Sequence, residues 1–219
     1  MAVFSNKHGE IRNKSWKYYD LMYLSPQKVP WRVKKTNKEL REVLIKENIT
    51  PPMKVLDLGC GAGKNTKYLE TKGFNVVGID FSCQALKLAQ KAKTKSVLIQ
   101  GDAARLPFKN KTFDFIIDVG CFHCLPPGIQ DRARDEILRV LKPKGLYFLR
   151  LWYSPHDIPK ILMPLFYIEK IPVWGFNMPL VDSIFSKYFR LKYIKKEPFD
   201  EDGYGPFLIL LFQKLTKFK

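Results

Sequence analysis

The chain has 219 residues, 46% of them hydrophobic, and a formal net charge of +17. That length and apolar content build one ordinary domain with its own core and exclude a disordered chain. Met1 to Lys17 is polar, and no stretch approaches the roughly 18 apolar residues of a membrane span, so a cytoplasmic protein with no membrane span is expected.

The first predicted elements follow an aromatic-rich start. Residues 10–50 hold Trp16, Tyr18, Tyr19, Tyr23 and Trp31, then a helix over Lys38–Lys46. Lys54–Leu58 reads as a buried strand, and the backbone then turns at Gly59, Gly61 and Gly63 before a helix over Lys64–Lys72. Gly73 closes that helix, and Asn75–Ile79 is a second strand. Ser82 caps a helix over Cys83–Lys93, Ser96–Gln100 is a third strand and Phe113–Val119 a fourth. Helical spacing over Pro127–Leu141 stops at Pro143, and Gly145–Tyr153 is a fifth strand. Continuous apolar strands alternating with helices predict a parallel sheet covered on both faces. Leu191–Ile194 and Phe207–Phe212 leave no room for a crossover helix, so they are predicted to pair as an antiparallel hairpin. Between strand five and that hairpin, residues 154–180 hold five of the fifteen prolines, with Leu165, Phe166, Tyr167, Trp174 and Phe176 among them. Such an insert cannot be one long helix. It belongs over the carboxyl ends of the strands, as a lid or as a satellite apolar cluster.

The chemistry concentrates in the glycine turn, Val-Leu-Asp-Leu-Gly-Cys-Gly-Ala-Gly over residues 55–63. Three glycines at alternate positions, between a strand and a helix N-terminus, let a ligand approach the main chain. The spacing is G-x-G-x-G, whereas a dinucleotide site needs G-x-G-x-x-G/A, and Lys64 stands at its last position. A nicotinamide cofactor is therefore disfavoured. Asp80 ends the second strand, 21 positions after Gly59, where a carboxylate accepts two bonds from a ribose diol.

Together the segments around Asp57, Asp80, Asp102 and Asp118 resemble, in order, the motifs of the class I S-adenosylmethionine (SAM) methyltransferases. The Leu-Pro-Phe after Asp102, followed by Phe113-Asp114, is typical of their type-11 group. The resemblance implies a Rossmann-like seven-stranded, mostly parallel sheet with a C-terminal antiparallel hairpin and helices on both faces. It implies SAM as cofactor and a single domain over 1–219, in which 1–50 covers the cofactor and 154–180 forms a lid. Carried over residue by residue, Asp57 and the glycines hold the loop and the methionine ammonium, and Asp80 holds the ribose. Phe81 and Ser82 follow beside the adenine, Asp102 and Ala103 meet its edge, and Asp118 and Val119 border the sulfonium. Phe122-His123-Cys124-Leu125 with Arg132 and Arg134 is similar to the thiopurine/tellurite-resistance branch, whose Phe-x-His-x-Leu has an additional residue; Pro30-Trp31 resembles that branch's cofactor-covering Pro-Trp, which gives Trp31 a cofactor contact. His123 is the best-placed general base, and a His there also occurs in the superfamily without a catalytic task.

The four cysteines form no disulfide framework, and the lone Cys121-x-x-Cys124 has no second pair for a zinc site, so no metal is expected. The basic residues are scattered, with no run longer than Lys34-Lys35 or Lys195-Lys196. That pattern favours a solvated surface over a polyanion footprint. The expected activity is methyl transfer to a small, partly apolar acceptor by a monomer or homodimer. The alternatives are an RNA or protein methyltransferase, motivated by the charge, and a SAM-binding regulator without turnover. No Asn-Pro-Pro-Tyr-type tetrapeptide follows strand four, which counts against base-amine methylation.

Overall fold

The computed structural model describes residues 17–24, 37–154, 166–168, 171–199 and 205–216. In chain order the elements are α1 (residues 17–22), α2 (Lys38–Lys46), β1 (Lys54–Leu58), α3 (Lys64–Thr71), β2 (Asn75–Asp80), α4 (Cys83–Lys91), β3 (Val97–Gln100), β4 (Phe113–Val119), α5 (Pro127–Val140), β5 (Leu141–Trp152), β6 (Phe166–Ile168), β7 (Ile171–Val173), α6 (Met178–Phe185), β8 (Phe189–Glu197) and β9 (Phe207–Lys214). A 3₁₀ turn, Phe122–Cys124, stands between β4 and α5.

Seven strands form one sheet in the order β3-β2-β1-β4-β5-β9-β8. β1 to β5 pair in parallel, and β9 runs antiparallel to both β5 and β8. The predicted α/β sheet and its terminal hairpin are therefore present. Burial on both faces, with the period of two along a strand, explains why β9 is apolar from Phe207 to Phe212. Leu208, Leu210 and Phe212 enter one core with α5 and α6, while Phe207, Ile209 and Leu211 enter the opposite core with α2 and α3. The order reverses where β1 lies between β2 and β4, and ligands of such sheets bind beyond the carboxyl ends at that point.

Element ends differ from the predicted ones for local reasons. α4 stops at Lys91, since Lys93 takes φ +55° and ends the turn. Leu141 is not the last residue of α5; it opens β5 opposite Phe113, and a bulge separates that pair from the regular register at Leu146. Pro143, which cannot continue the helix, and Lys144 at φ +62° lie inside this irregular start. The insert also contains a helix that the prolines concealed. α6 begins at Asn177, whose side chain accepts the Leu180 amide, with Pro179 in the first turn, where its missing N–H costs nothing.

Candidate active site

The turn after β1 is stitched to the end of β2, because the Gly59 and Cys60 amides both donate to the Ile79 carbonyl, at 2.8 and 3.0 Å. Gly59, Gly61 and Gly63 have φ of +69°, +53° and +74°. At Gly59 space is also decisive, since a Cβ there would lie 2.6 Å from the Cys121 Cβ. At Gly63 it would lie 2.8 Å from the Ala89 Cβ, so the close helix packing of this loop falls on Gly63 against α4 and leaves Lys64 free to be large. The result is a bare main-chain cradle at the N-terminus of α3, shaped for a ligand pressed against the backbone.

Three buried carboxyls surround the cradle. Asp57, 2% exposed, accepts the Thr66 hydroxyl at 2.5 Å, and burial pushes its pKa up to about 7 against that bond. Asp80 accepts the Gly61 amide on one oxygen and the Ser82 amide on the other, both at 2.8 Å. Burial raises it to about 6. Asp118 accepts the Cys121 amide at 2.8 Å and the Phe122 amide at 3.2 Å, with the Tyr147 hydroxyl at 3.4 Å; burial raises it to about 7. Asp80 adds its field to Asp57, and Asp57 to Asp118. The Phe81 amide also favours the charged form of Asp80, so its carboxylate is held by main-chain donors at the end of β2. A cation brought to this place would favour the ionised forms that burial disfavours.

Residues 17–24 pack against the glycine turn and the end of β2. Asp20 of α1 accepts the Ser82 hydroxyl at 2.7 Å and the Gln84 amide at 3.1 Å, at the N-terminus of α4. Ser82 accepts the Ala85 amide in turn and is committed to this cap. The Tyr23 hydroxyl lies where a Cβ on Gly61 would come within 2.7 Å, and the Tyr19 ring meets Phe81 edge-on at 5.8 Å. Asp102 accepts the Ala104 amide at 2.9 Å and begins the short loop that carries Ala103. Trp31 and Pro30 lie outside the described residues, as do residues 155–165 of the insert.

His123 lies beside the end of β5. It is 4% exposed, and its Nδ1 accepts the Trp152 amide at 3.3 Å. β4 stops at Val119, opposite Arg150, and the imidazole takes over the acceptor role along the edge of β5 that β4 leaves open. Phe176 continues that edge, donating to the Trp152 carbonyl and accepting the Ser154 amide. Burial first, and the Arg150 charge second, push the His123 pKa down to about 3. Its ring is neutral at physiological pH, with the nitrogen facing β5 already engaged.

The family model of the methyltransferase domain matches residues 56–149, from Leu56 in β1 to Leu149 in β5. Those residues are similar to the methyltransferase-domain model over 94 of the 219 positions. An uncharacterized methyltransferase of Synechocystis is 39% identical over 109 residues, covering 50% of this chain and 51% of that protein. A demethylmenaquinone methyltransferase of Lactiplantibacillus plantarum is 38% identical over 149 residues, covering 64% of this chain and 57% of that protein. The chain thus spans about half the length of these relatives. The fold also matches the crystal structure of a Burkholderia thailandensis 1,6-didemethyltoxoflavin-N1-methyltransferase bound to 1,6-didemethyltoxoflavin and S-adenosylhomocysteine. Its TM-score is 0.76 at 17% identity, with 96% of this chain and 90% of that one covered.

Among the residues singled out in the sequence, the structure brings together Asp57, the three glycines, Asp80, Phe81, Ser82 and Asp118 through the contacts above, and sets His123 beside β5. It gives Arg134 another task, pairing with Asp131 and Asp135 beside the Tyr188 ring, and leaves Arg132 exposed. Three residues escaped the sequence. Thr66 satisfies Asp57 from one turn into α3, a spacing that follows once the loop length is known. Asp20 reaches α4 across 62 positions and has no local signal. Arg150 lies at the end of β5 with its guanidinium 3.3 Å from the Phe207 ring centroid and 4.0 Å from the Glu39 carboxylate. Cys121 and Cys124 remain thiols, which burial pushes well above their usual range, Cys124 to about 12.

Proposed function

We propose that the chain is a SAM-dependent methyltransferase acting on a small, partly apolar acceptor. The observation that carries this reading is Asp80, whose carboxylate joins the glycine cradle to the N-terminus of α4 at the strand end where a ribose diol would meet it. The cradle and the three acids fit the group: the glycines leave room for its main-chain approach, and Asp57 faces the loop that would hold a methionine ammonium. Asp102 and Ala103 would meet the adenine edge, Phe81 its face, and Val119 the sulfonium. Trp31 and the covering segment 1–50 complete the cofactor site in this proposal, with 154–180 as the lid of a single domain, in the cytoplasm. When bound, SAM supplies a methyl group on a cationic sulfur, and aromatic faces nearby favour that charge. The residues of the chain bind, orient and exclude water, so that proximity does most of the work.

The test is calorimetric. Wild type binds SAM, and Asp80→Ala lowers the affinity at least tenfold through lost charge-assisted bonds; equal affinity would misplace the cofactor site. Release of S-adenosylhomocysteine with an acceptor separates an enzyme from a SAM-binding regulator. The +17 charge is the one observation for an RNA acceptor. Salt-dependent tRNA binding that persists at physiological ionic strength would support that second reading.

A further inference from the structure

Because Nδ1 of His123 accepts a main-chain N–H, it carries no proton, and the neutral ring holds its hydrogen on Nε2. Nε2 makes no hydrogen bond to any described residue. The ring edge formed by Cε1 and Nε2 borders Gly120, where a Cβ would stand 3.8 and 3.9 Å from those two atoms. Gly120 directly follows β4, and its neighbour Cys121 presses on the cradle at Gly59, so this edge faces the crevice and the other faces β5. Two main-chain bonds fix the ring: the Trp152 amide on Nδ1, and the Trp174 amide, at 2.9 Å, on the His123 carbonyl. The charge that acts on the ring is Arg150 from β5, itself 4.0 Å from the Glu39 carboxylate, and Asp118 accepts the Cys121 amide two residues before His123. Two residues beyond the Trp152 amide, Ser154 is 2% exposed and its hydroxyl has no hydrogen-bond partner among the described residues.

We propose that His123 is a fixed Nε2–H donor on the acceptor side of the site, and that it receives an oxyanion conjugated to the methylated atom: a carboxylate, phenolate or enolate. The inference rests on the methyltransferase reading. A ring that only donates cannot remove a proton, so the acceptor must arrive with its electron pair already available. An oxygen acid meets that demand, and the Arg150 charge favours its ionised form. The acceptor's electron pair forms the bond to the methyl carbon, the carbon–sulfur pair returns to sulfur, and the negative charge of the acceptor cancels the positive charge of the sulfonium. No proton moves in that step.

The experiment uses the full chain loaded with S-adenosylhomocysteine. Nitrogen-15 NMR of labelled histidines, assigned with His123→Asn, is expected to show the Nε2–H tautomer unchanged between pH 5 and 9. Titration near the usual 6.5, or an Nδ1–H tautomer, would overturn the proposal. The probe for the oxyanion is 4-nitrophenolate, followed by its visible absorption. Wild type is expected to bind it, His123→Asn about tenfold more weakly, and His123→Gln within about threefold of wild type. Asparagine keeps an oxygen for the Trp152 amide and loses the reach to Nε2, whereas glutamine restores a donor at that reach. Equal binding by wild type and His123→Asn, or no binding by wild type, overturns the donor role. Failure to bind S-adenosylhomocysteine would instead break the methyltransferase reading and leave the tautomer result standing.

Discussion

The two halves of this sheet are built on different principles. From β1 to β4 the site is made by the main chain: amides of residues 59–61, 82 and 121–122 meet carbonyls and carboxylates a few residues from a strand end. From β5 to β9 it is made by side chains packing across long sequence separations. Examples are Arg150 on Phe207, Trp152 on Phe207 at 4.5 Å between ring centroids, and Lys195 of β8 paired with Glu42 of α2. Backbone cradles tolerate few residue types, so they leave motifs. Packed walls accept any set of the right volume, so they leave only composition. The β1–β4 half should therefore be brittle to single atoms and the β5–β9 half tolerant of them.

The largest effect belongs to Gly59→Ala. A methyl group at φ +69°, 2.6 Å from the Cys121 Cβ, meets backbone strain and a clash with no flexible side-chain end to yield. We expect a loss of roughly 4 kcal/mol, a left-handed penalty added to an overpacking cost, in urea unfolding. Gly61→Ala should cost less, because its clash is with the far end of the Tyr23 side chain. Equal losses at both positions would show that space is not what separates them.

Next comes pH. Asp57 and Asp118, at about 7, and Asp80, at about 6, stay protonated in the folded chain after the unfolded chain has lost its protons near 3.8. Their stabilisation is full below pH 3.8 and is lost as pH rises through 6 to 7. His123 runs the other way. It binds its proton in the folded state only near pH 3, so it stabilises above its unfolded value of 6.5 and loses that as pH falls. Three acids outweigh one base between pH 4.5 and 6.5. Asp118→Asn keeps an oxygen for the Cys121 and Phe122 amides but does not titrate. Its stability relative to wild type should improve by about 2–3 kcal/mol from pH 4.5 to 7.5 in thermal unfolding. A pH-independent difference would mean that Asp118 ionises freely in the fold.

The contrast between the halves also explains what the sequence made legible. Gly59, Gly61, Gly63, Asp80 and the Ser82 cap announce themselves because each serves a local backbone demand, and β4 was delimited to the residue for the same reason. α6 was hidden, because Pro179 reads as a breaker unless Asn177 is seen as a cap. His123 was legible as a residue near the crevice, but its role depends on the Trp152 amide 29 positions away, a contact no spacing rule contains. Asp20 was illegible on the same ground.

The smallest effect tests whether the halves are energetically separate. The Lys214 amine, at the end of β9, is buried and donates to the carbonyls of Leu138 and Leu141 at 2.6 and 2.8 Å, closing the C-terminus of α5. Methionine fills the same volume without the donors and leaves two carbonyls unsatisfied. The cost should be about 1–2 kcal/mol in urea unfolding. No cradle residue touches that amine, so S-adenosylhomocysteine affinity should stay within about twofold of wild type, since sites without shared partners add independently. If Lys214→Met instead weakens that affinity by tenfold, α5 transmits its C-terminal order to the turn at Phe122–Cys124, and the two halves form one cooperative unit.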